Sequence, residues 1–172
     1  MEENSMARGG ERQELPRMVM TPIGRIENTE GACAVALDAK YAEALRGLDG
    51  FSHVQVLWWF DGCDNAADRA VLSVEKPYTH GPDALGTFAT RSPQRPNPIA
   101  LTTAAVAWID AENARIGLYY IDALDGTPVL DVKPYTPSLD RVDAPTTPGW
   151  CAHWPKDTES SGAFDWESEF NF

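Results

Sequence analysis

Apolar and polar residues alternate along this chain in short runs, broken by glycine, proline and Asx-rich turns, the period of strands rather than of helices. The strongest run is Phe51-Ser52-His53-Val54-Gln55-Val56-Leu57-Trp58-Trp59-Phe60, β-branched and aromatic, bounded by Gly50 and Asp61-Gly62. Adjacent strand residues point to opposite faces, so one of Trp58 and Trp59 belongs to the core and the other lines a pocket or an interface. His53 reads as a hydrogen-bonded structural histidine. Weaker alternation predicts strands over 18–25, 33–37, 71–75, 85–90, 101–110, 115–121 and 129–135. Asp38 is a plausible N-cap for one short helix from Lys40 to about Arg46, ended by Gly47. Residues 27–31, 61–67, 110–113 and 122–128 read as turns or polar loops. Short strands with turns between them indicate an antiparallel barrel or sandwich, not a parallel α/β sheet.

One connection is unlike the others. Gly86 to Thr102 holds Arg91, Arg95, Asn97 and three prolines, with no acidic residue. Each proline fixes its own φ and keeps the residue before it out of the helical region. Ser92, Arg95 and Asn97 precede prolines, so residues 91–99 form a stiff, extended loop. Such a loop loses little entropy when it meets a ligand, and guanidinium suits carboxylate or phosphate. The bland alternative is a surface connector whose arginines are merely solvated.

Charge sharpens the contrast. The 172 residues carry a net charge of −12, with 43% hydrophobic and 23% charged residues, ordinary for a globular domain. Residues 1–17 hold three arginines against four glutamates and read as a disordered leader; residues 142–172 hold one lysine against six carboxylates, with scattered Trp and Phe. That last stretch reads as an extended tail draped over the body or a partner, anchored by its aromatics. The domain reading is therefore a leader (1–17), a body (18–141) and a tail (142–172). Bulk electrostatics excludes a basic nucleic-acid grip, so any polyanion meets a local patch. No apolar run is long enough to span a membrane. Cys33, Cys63 and Cys151, odd in number and scattered, fit a reduced cytoplasm. Dinucleotide, phosphate-loop and zinc-finger spacings are missing. Cys151 and His153, two apart, are only a weak metal hint, and no metal is expected.

The run Phe88 to Ile99, the later run Asp125 to Tyr135, and Leu48-Asp49-Gly50-Phe51-Ser52-His53 resemble, in the same order, the TsaA/TrmO family, over about Pro22 to Asp140. The resemblance implies a small single-sheeted β-barrel, so the fold expected is mainly β, an antiparallel barrel to which the residues themselves add one short helix and an extended C-terminal tail. It also implies S-adenosylmethionine as cofactor, a homodimer, and N6-methylation of threonylcarbamoyladenosine beside the anticodon of tRNA. The family's cofactor contacts fall on Arg91, Leu101, Tyr120, Ile121 and Asp122, and on Asp61 and Gly62. Arg95, Asn97, Lys133 and Tyr135 are then left to meet the acceptor. Asp61 and Asp125 are candidates for taking the amine proton, although Asp125-Gly126-Thr127-Pro128 is by itself good turn chemistry. Three departures stand out: the long loop after the first strand, with its Pro-Arg-Gln segment, is shortened to 27–31; Asp61 replaces a common His; and Ala100 replaces the Gly that usually follows Pro-Asn-Pro-Ile. A small-molecule acceptor, or a binding module without catalysis, are the alternatives.

Overall fold

The computed structural model describes residues 18–29 and 31–171, so the expected leader at 1–17 lies outside it. Six strands close into an antiparallel barrel: β1 (Gly24–Thr29), β2 (Ala32–Leu37), β3 (His53–Trp59), β6 (Ile99–Asp110), β7 (Arg115–Leu118) and β8 (Pro128–Pro134). Around the barrel the order is β1-β2-β7-β6-β3-β8, with β8 returning to β1 through Gly24↔Val129. A separate two-stranded hairpin, β4 (Ser73–Glu75) with β5 (Ala84–Gly86), precedes the proline-rich loop.

Alternation sets which side chains enter the barrel. In β3, Val54, Val56 and Trp58 point in while His53, Gln55, Leu57 and Trp59 point out. Ile26, Val35, Val54, Val56, Ile116 and Val129 are wholly buried and meet in one core. Trp58 therefore belongs to the core, where its indole donates to Thr102 Oγ1 and its ring meets Phe60 edge-on. Ala100 sits opposite Trp58 across the ladder, so its methyl faces this core. A bulge shifts the β3–β8 register between Leu57 and Trp58, leaving Leu130 outside the pairing.

Several boundaries differ from the sequence reading. The first strand begins at Gly24 rather than at Met18 and runs on to Thr29 through part of the expected turn. The reason is pairing: Ile26 lies opposite Val35, and Thr29 opposite Ala32. Little of the expected turn then remains before β2, and Gly31 there takes φ 83°. The helix over 39–45 is a 3₁₀ turn, and the Asp38 side chain caps nothing there. The strand over 85–90 stops at Gly86, because Thr87 buries its hydroxyl on Val71 O and opens a 3₁₀ turn. β7 ends at Leu118 instead of Ile121. The polar loop at 61–67 contains a 3₁₀ turn (Asp61–Cys63) and the start of α1 (Ala66–Arg69), whose first amides Asn65 caps.

Beyond β8 come α2 (Pro137–Asp140), a 3₁₀ turn (Gly149–Cys151), α3 (Thr158–Ser161) and α4 (Trp166–Glu169). The tail does lie on the body by its aromatics, though in helical turns rather than extended. Tyr78 stacks on Trp150 at 5.3 Å and meets Trp154 edge-on at 5.0 Å. Trp166 stacks on Phe170, which bridges back to Tyr78. Of the two anchorages expected for these aromatics, the body or a partner, the contacts seen here are with the body. Among the described residues no helix is long and apolar enough to cross a membrane, and all three cysteines are free.

One glycine is demanded by close approach. A Cβ on Gly24 would lie 2.2 Å from the Ala36 carbonyl oxygen, backbone that has no rotamer to escape through. Gly24→Ala is expected to cost at least about 2 kcal/mol by forcing β1 off β2. Urea unfolding checks this: the midpoint should fall with an unchanged slope, and an unmoved midpoint would show that the hairpin adapts.

Candidate functional site

The antiparallel register puts an open strand edge at one end of the barrel. β6 pairs with β3 along Ile99–Ala105, but β7 joins its other side only from Val106 onward. Tyr119 N–H reaches the Ala105 carbonyl, after which the chain leaves the ladder. Backbone groups alternate sides along a strand, so Leu101 and Thr103 direct theirs to this open edge. Arg91 has found one of them: its Nη1 donates to the Leu101 carbonyl at 3.1 Å. Tyr120 to Asp122 follow Tyr119 directly. Ile121 is buried in the barrel core while Tyr120 and Asp122 stay exposed. Burial of the Tyr120 phenol end, then the nearby Asp122 and Cys33, push its pKa up, so the hydroxyl remains a donor at neutral pH.

The loop containing Asp125 is clasped to the first hairpin. Asn28 N–H donates to Asp125 Oδ1 at 2.9 Å, and Asn28 Nδ2 donates to the Ala123 carbonyl at 2.8 Å. Gly126 takes φ 81° to close the turn. Asp125 is thus held by a contact across to the first hairpin as well as by its position in the turn. Asp61 behaves differently: it is exposed, opens the 3₁₀ turn after β3, and lies close enough to Cys63 to help, after burial and Asp68, to raise that thiol's pKa.

α1 braces the proline-rich loop. Gln94 donates to Asp68 at 2.8 Å, and Arg69 bridges Asp64 at 2.8 Å and Asn97 at 3.4 Å. Trp59, the outward member of the pair, donates to Asp64 and lies 5.9 Å below the Arg69 guanidinium. A cleft of about 430 Å³ opens here, lined among others by Met20, Trp59, Arg69, Asn97 and Leu130. Asn97 is thus held in a network, and Gly62 lies in the turn just before it. Sequence reasoning missed Asp64 and Arg69 because nothing in a four-residue helix announces them; the Asn65 cap was the available signal.

Lys133 and Tyr135 lie on the outward face of β8. Lys133 stands across from Gln55, and Tyr135 sits edge-on to His53 at 6.2 Å. Leu101, Leu57 and Asp131 form the neighbouring outward row, whereas Arg91 meets the backbone of Leu101 at the open edge. Lys133, however, is ion-paired with Asp131. His53 accepts or donates only to Ser52, the structural role expected of it.

Charge pairing separates the cations. Arg25, Lys40, Arg46, Arg69, Lys76, Arg115, Lys133 and Arg141 each have a carboxylate within ion-pair distance. Among the described residues, Arg91, Arg95 and Lys156 do not. In a chain of net charge −12, the two arginines of the stiff loop have been kept free of acidic partners. An anionic ligand is what such a loop fits.

Comparison with known proteins agrees with this geometry. A family model described as the tRNA-methyltransferase O N-terminal domain matches residues 12–141. An S-adenosyl-L-methionine-binding protein of Archaeoglobus fulgidus is 32% identical over 140 residues, 73% of this chain and 95% of that one. A tRNA (adenine(37)-N6)-methyltransferase of Escherichia coli is 34% identical over 121 residues, 69% of this chain and 51% of that one. The crystal structure of TrmO from Pseudomonas aeruginosa superposes with a TM-score of 0.59 at 31% identity, covering 78% of this chain and 62% of that chain. The present chain thus spans about half of the E. coli enzyme. A family model that matches residues 12–141, most of the chain, together with relatives over 30% identical across about 70% of it, makes this chain a member of the TrmO family.

Proposed function

We propose that this chain is an S-adenosylmethionine-dependent methyltransferase acting on N6 of threonylcarbamoyladenosine beside the anticodon of tRNA. The methyltransferase class and the cofactor follow from family membership. The acceptor rests on the E. coli relative, whose name specifies adenine 37 of tRNA. The observation that carries the reading is Arg91, which has no carboxylate partner among the described residues and is held by the Leu101 carbonyl at the open edge of β6.

The residues fit such a cofactor. When bound, it supplies an electrophilic methyl on a positive sulfur, and transfer needs in-line approach in an oriented site more than a covalent catalyst. Arg91 pairs with the amino-acid carboxylate and is already steered by the Leu101 carbonyl. Asp122, exposed at the end of the barrel, accepts from ribose hydroxyls or the amino group. The edge-facing backbone of Leu101 and Thr103, with the Leu101 carbonyl already accepting from Arg91, meets the adenine edge together with that of Tyr120 and Ile121. Arg95 and Asn97 face the acceptor. Asp61, whose carboxylate is not committed as that of Asp125 is to Asn28, takes the acceptor amine's proton.

The pairing of Lys133 with Asp131 favours a second reading, a small-molecule acceptor, since few cations then remain for a polyanion. One experiment separates the two. The purified chain is incubated with S-adenosylmethionine and tRNA from a strain lacking this methylation, and nucleosides are read by mass spectrometry. The methylated nucleoside is the expected product. Cofactor binding without methylation would hand the reading to a small acceptor; no binding even at millimolar cofactor would end both.

A further inference from the structure

Outside the barrel, three side chains from distant parts of the chain converge. His80 lies in the turn between β4 and β5, His153 follows the 149–151 turn, and Glu169 ends α4. His80 Nδ1 is 3.2 Å and His153 Nε2 2.9 Å from the same oxygen, Glu169 Oε2. The imidazole rings are 4.8 Å apart. Glu169 is only 2% exposed, and its second oxygen, Oε1, is buried with no hydrogen-bond partner. Against the upward push of burial, Trp154 Nε1 also approaches this carboxylate and helps the two histidines hold its pKa below the usual range, but it is buried without a well-formed bond. The two histidines satisfy Oε2, but Oε1 is left without a well-formed bond at this depth.

We propose that His80, His153 and Glu169 are the protein ligands of a zinc ion that clasps the C-terminal segment to the β4–β5 hairpin. Two imidazoles and a carboxylate are a donor set for zinc, and donors bound at about 2.0 Å in a tetrahedron lie about 3.3 Å apart. The observed spacings to Oε2 are close to that edge. One donor atom from each residue lies within 4.8 Å of the others, and both rings are exposed enough to turn inward and to leave a fourth position for water. Each ring nitrogen that now faces Oε2 then presents its lone pair, its hydrogen residing on the ring's other nitrogen.

The backbone around the cluster is already fixed. Thr79 N–H donates to the Glu169 carbonyl at 2.8 Å, and Thr79 Oγ1 to the Ser168 carbonyl at 2.9 Å. Asn171 Nδ2 donates to the Lys76 carbonyl at 2.9 Å. Glu159, Asp165 and Glu167 on the same acidic segment draw a cation toward it. The site differs from the Cys151–His153 pair that the sequence hinted at: the Cys151 thiol points instead to the Pro148 carbonyl.

The test uses the untagged full chain, stripped with EDTA, then titrated with Zn²⁺ by calorimetry and with Co²⁺ by visible absorption. One ion per chain is expected, with a cobalt spectrum free of thiolate charge-transfer bands. Zinc should raise the melting temperature of the parent but not of His80→Ala. His80→Ala and His153→Ala should each weaken binding at least about ten-fold. The His80 side chain is exposed, so that variant should melt like the parent in EDTA. No binding, thiolate bands, or binding that survives the double replacement would overturn the assignment.

Discussion

Arg91→Ala is expected to weaken S-adenosylmethionine binding about ten- to over a hundred-fold, the loss of one charge-assisted contact of roughly 1.5–3 kcal/mol. The guanidinium has no carboxylate partner, so its charge is available to a ligand rather than spent inside the protein. Its one hydrogen bond, to the Leu101 carbonyl, aims it along the open edge of β6. Folding should be little affected, since Arg91 is exposed. Arg91→Lys keeps the charge but loses the planar fork, and should fall between parent and alanine. Calorimetry with each variant checks the order, and an unchanged dissociation constant for Arg91→Ala would remove Arg91 from the cofactor site.

Arg95→Ala is expected to lower methylation of tRNA by a similar factor, at least about ten-fold in kcat/KM, while cofactor affinity stays within a few-fold. Arg95 is half-buried in the stiff loop and makes only a 3.5 Å contact to the Ser92 carbonyl. It is therefore held without being neutralised. Lys133→Ala should matter less, because Asp131 already neutralises Lys133 and removing both would change no net charge. With so few free cations, tRNA binding should show a shallow salt dependence, about two or three phosphates' worth. Most of the affinity then comes from the modified base itself. Parent-like methylation by Arg95→Ala would place the acceptor elsewhere on the barrel.

Tyr78 connects these arginines to the C-terminal segment. Burial raises its pKa, partly offset by a hydrogen bond with the Arg91 backbone, so the phenol end of this residue touches the proline-rich loop. Its ring stacks on Trp150 of the tail. The segment beyond 141, outside the family match, thus packs on the residue that props the loop.

Much of the barrel was legible from alternation alone, because a half-buried strand must present apolar groups at every second position. The Phe51–Phe60 run, the division of Trp58 and Trp59 between faces, and the stiffness of residues 91–99 all depend on local chemistry that the structure leaves unchanged. Strand ends were less legible. Whether Ile26 or Met18 belongs to the first strand depends on what lies opposite, and Val35 supplies that partner only once β1 meets β2.

The sequence by itself determined the strand-rich class, the proline-locked loop and its two arginines, since φ restriction and side-chain charge belong to single residues. Tertiary structure alone decided which cations remain free: Asp131 reaches Lys133 and Asp64 reaches Arg69, but among the described residues no carboxylate forms an ion pair with Arg91 or Arg95. It also decided the fate of the carboxylates, committing Asp125 to Asn28 and burying Glu169 between His80 and His153. Pairing and burial are relations between residues far apart in the chain, and only folding brings those residues within reach of one another.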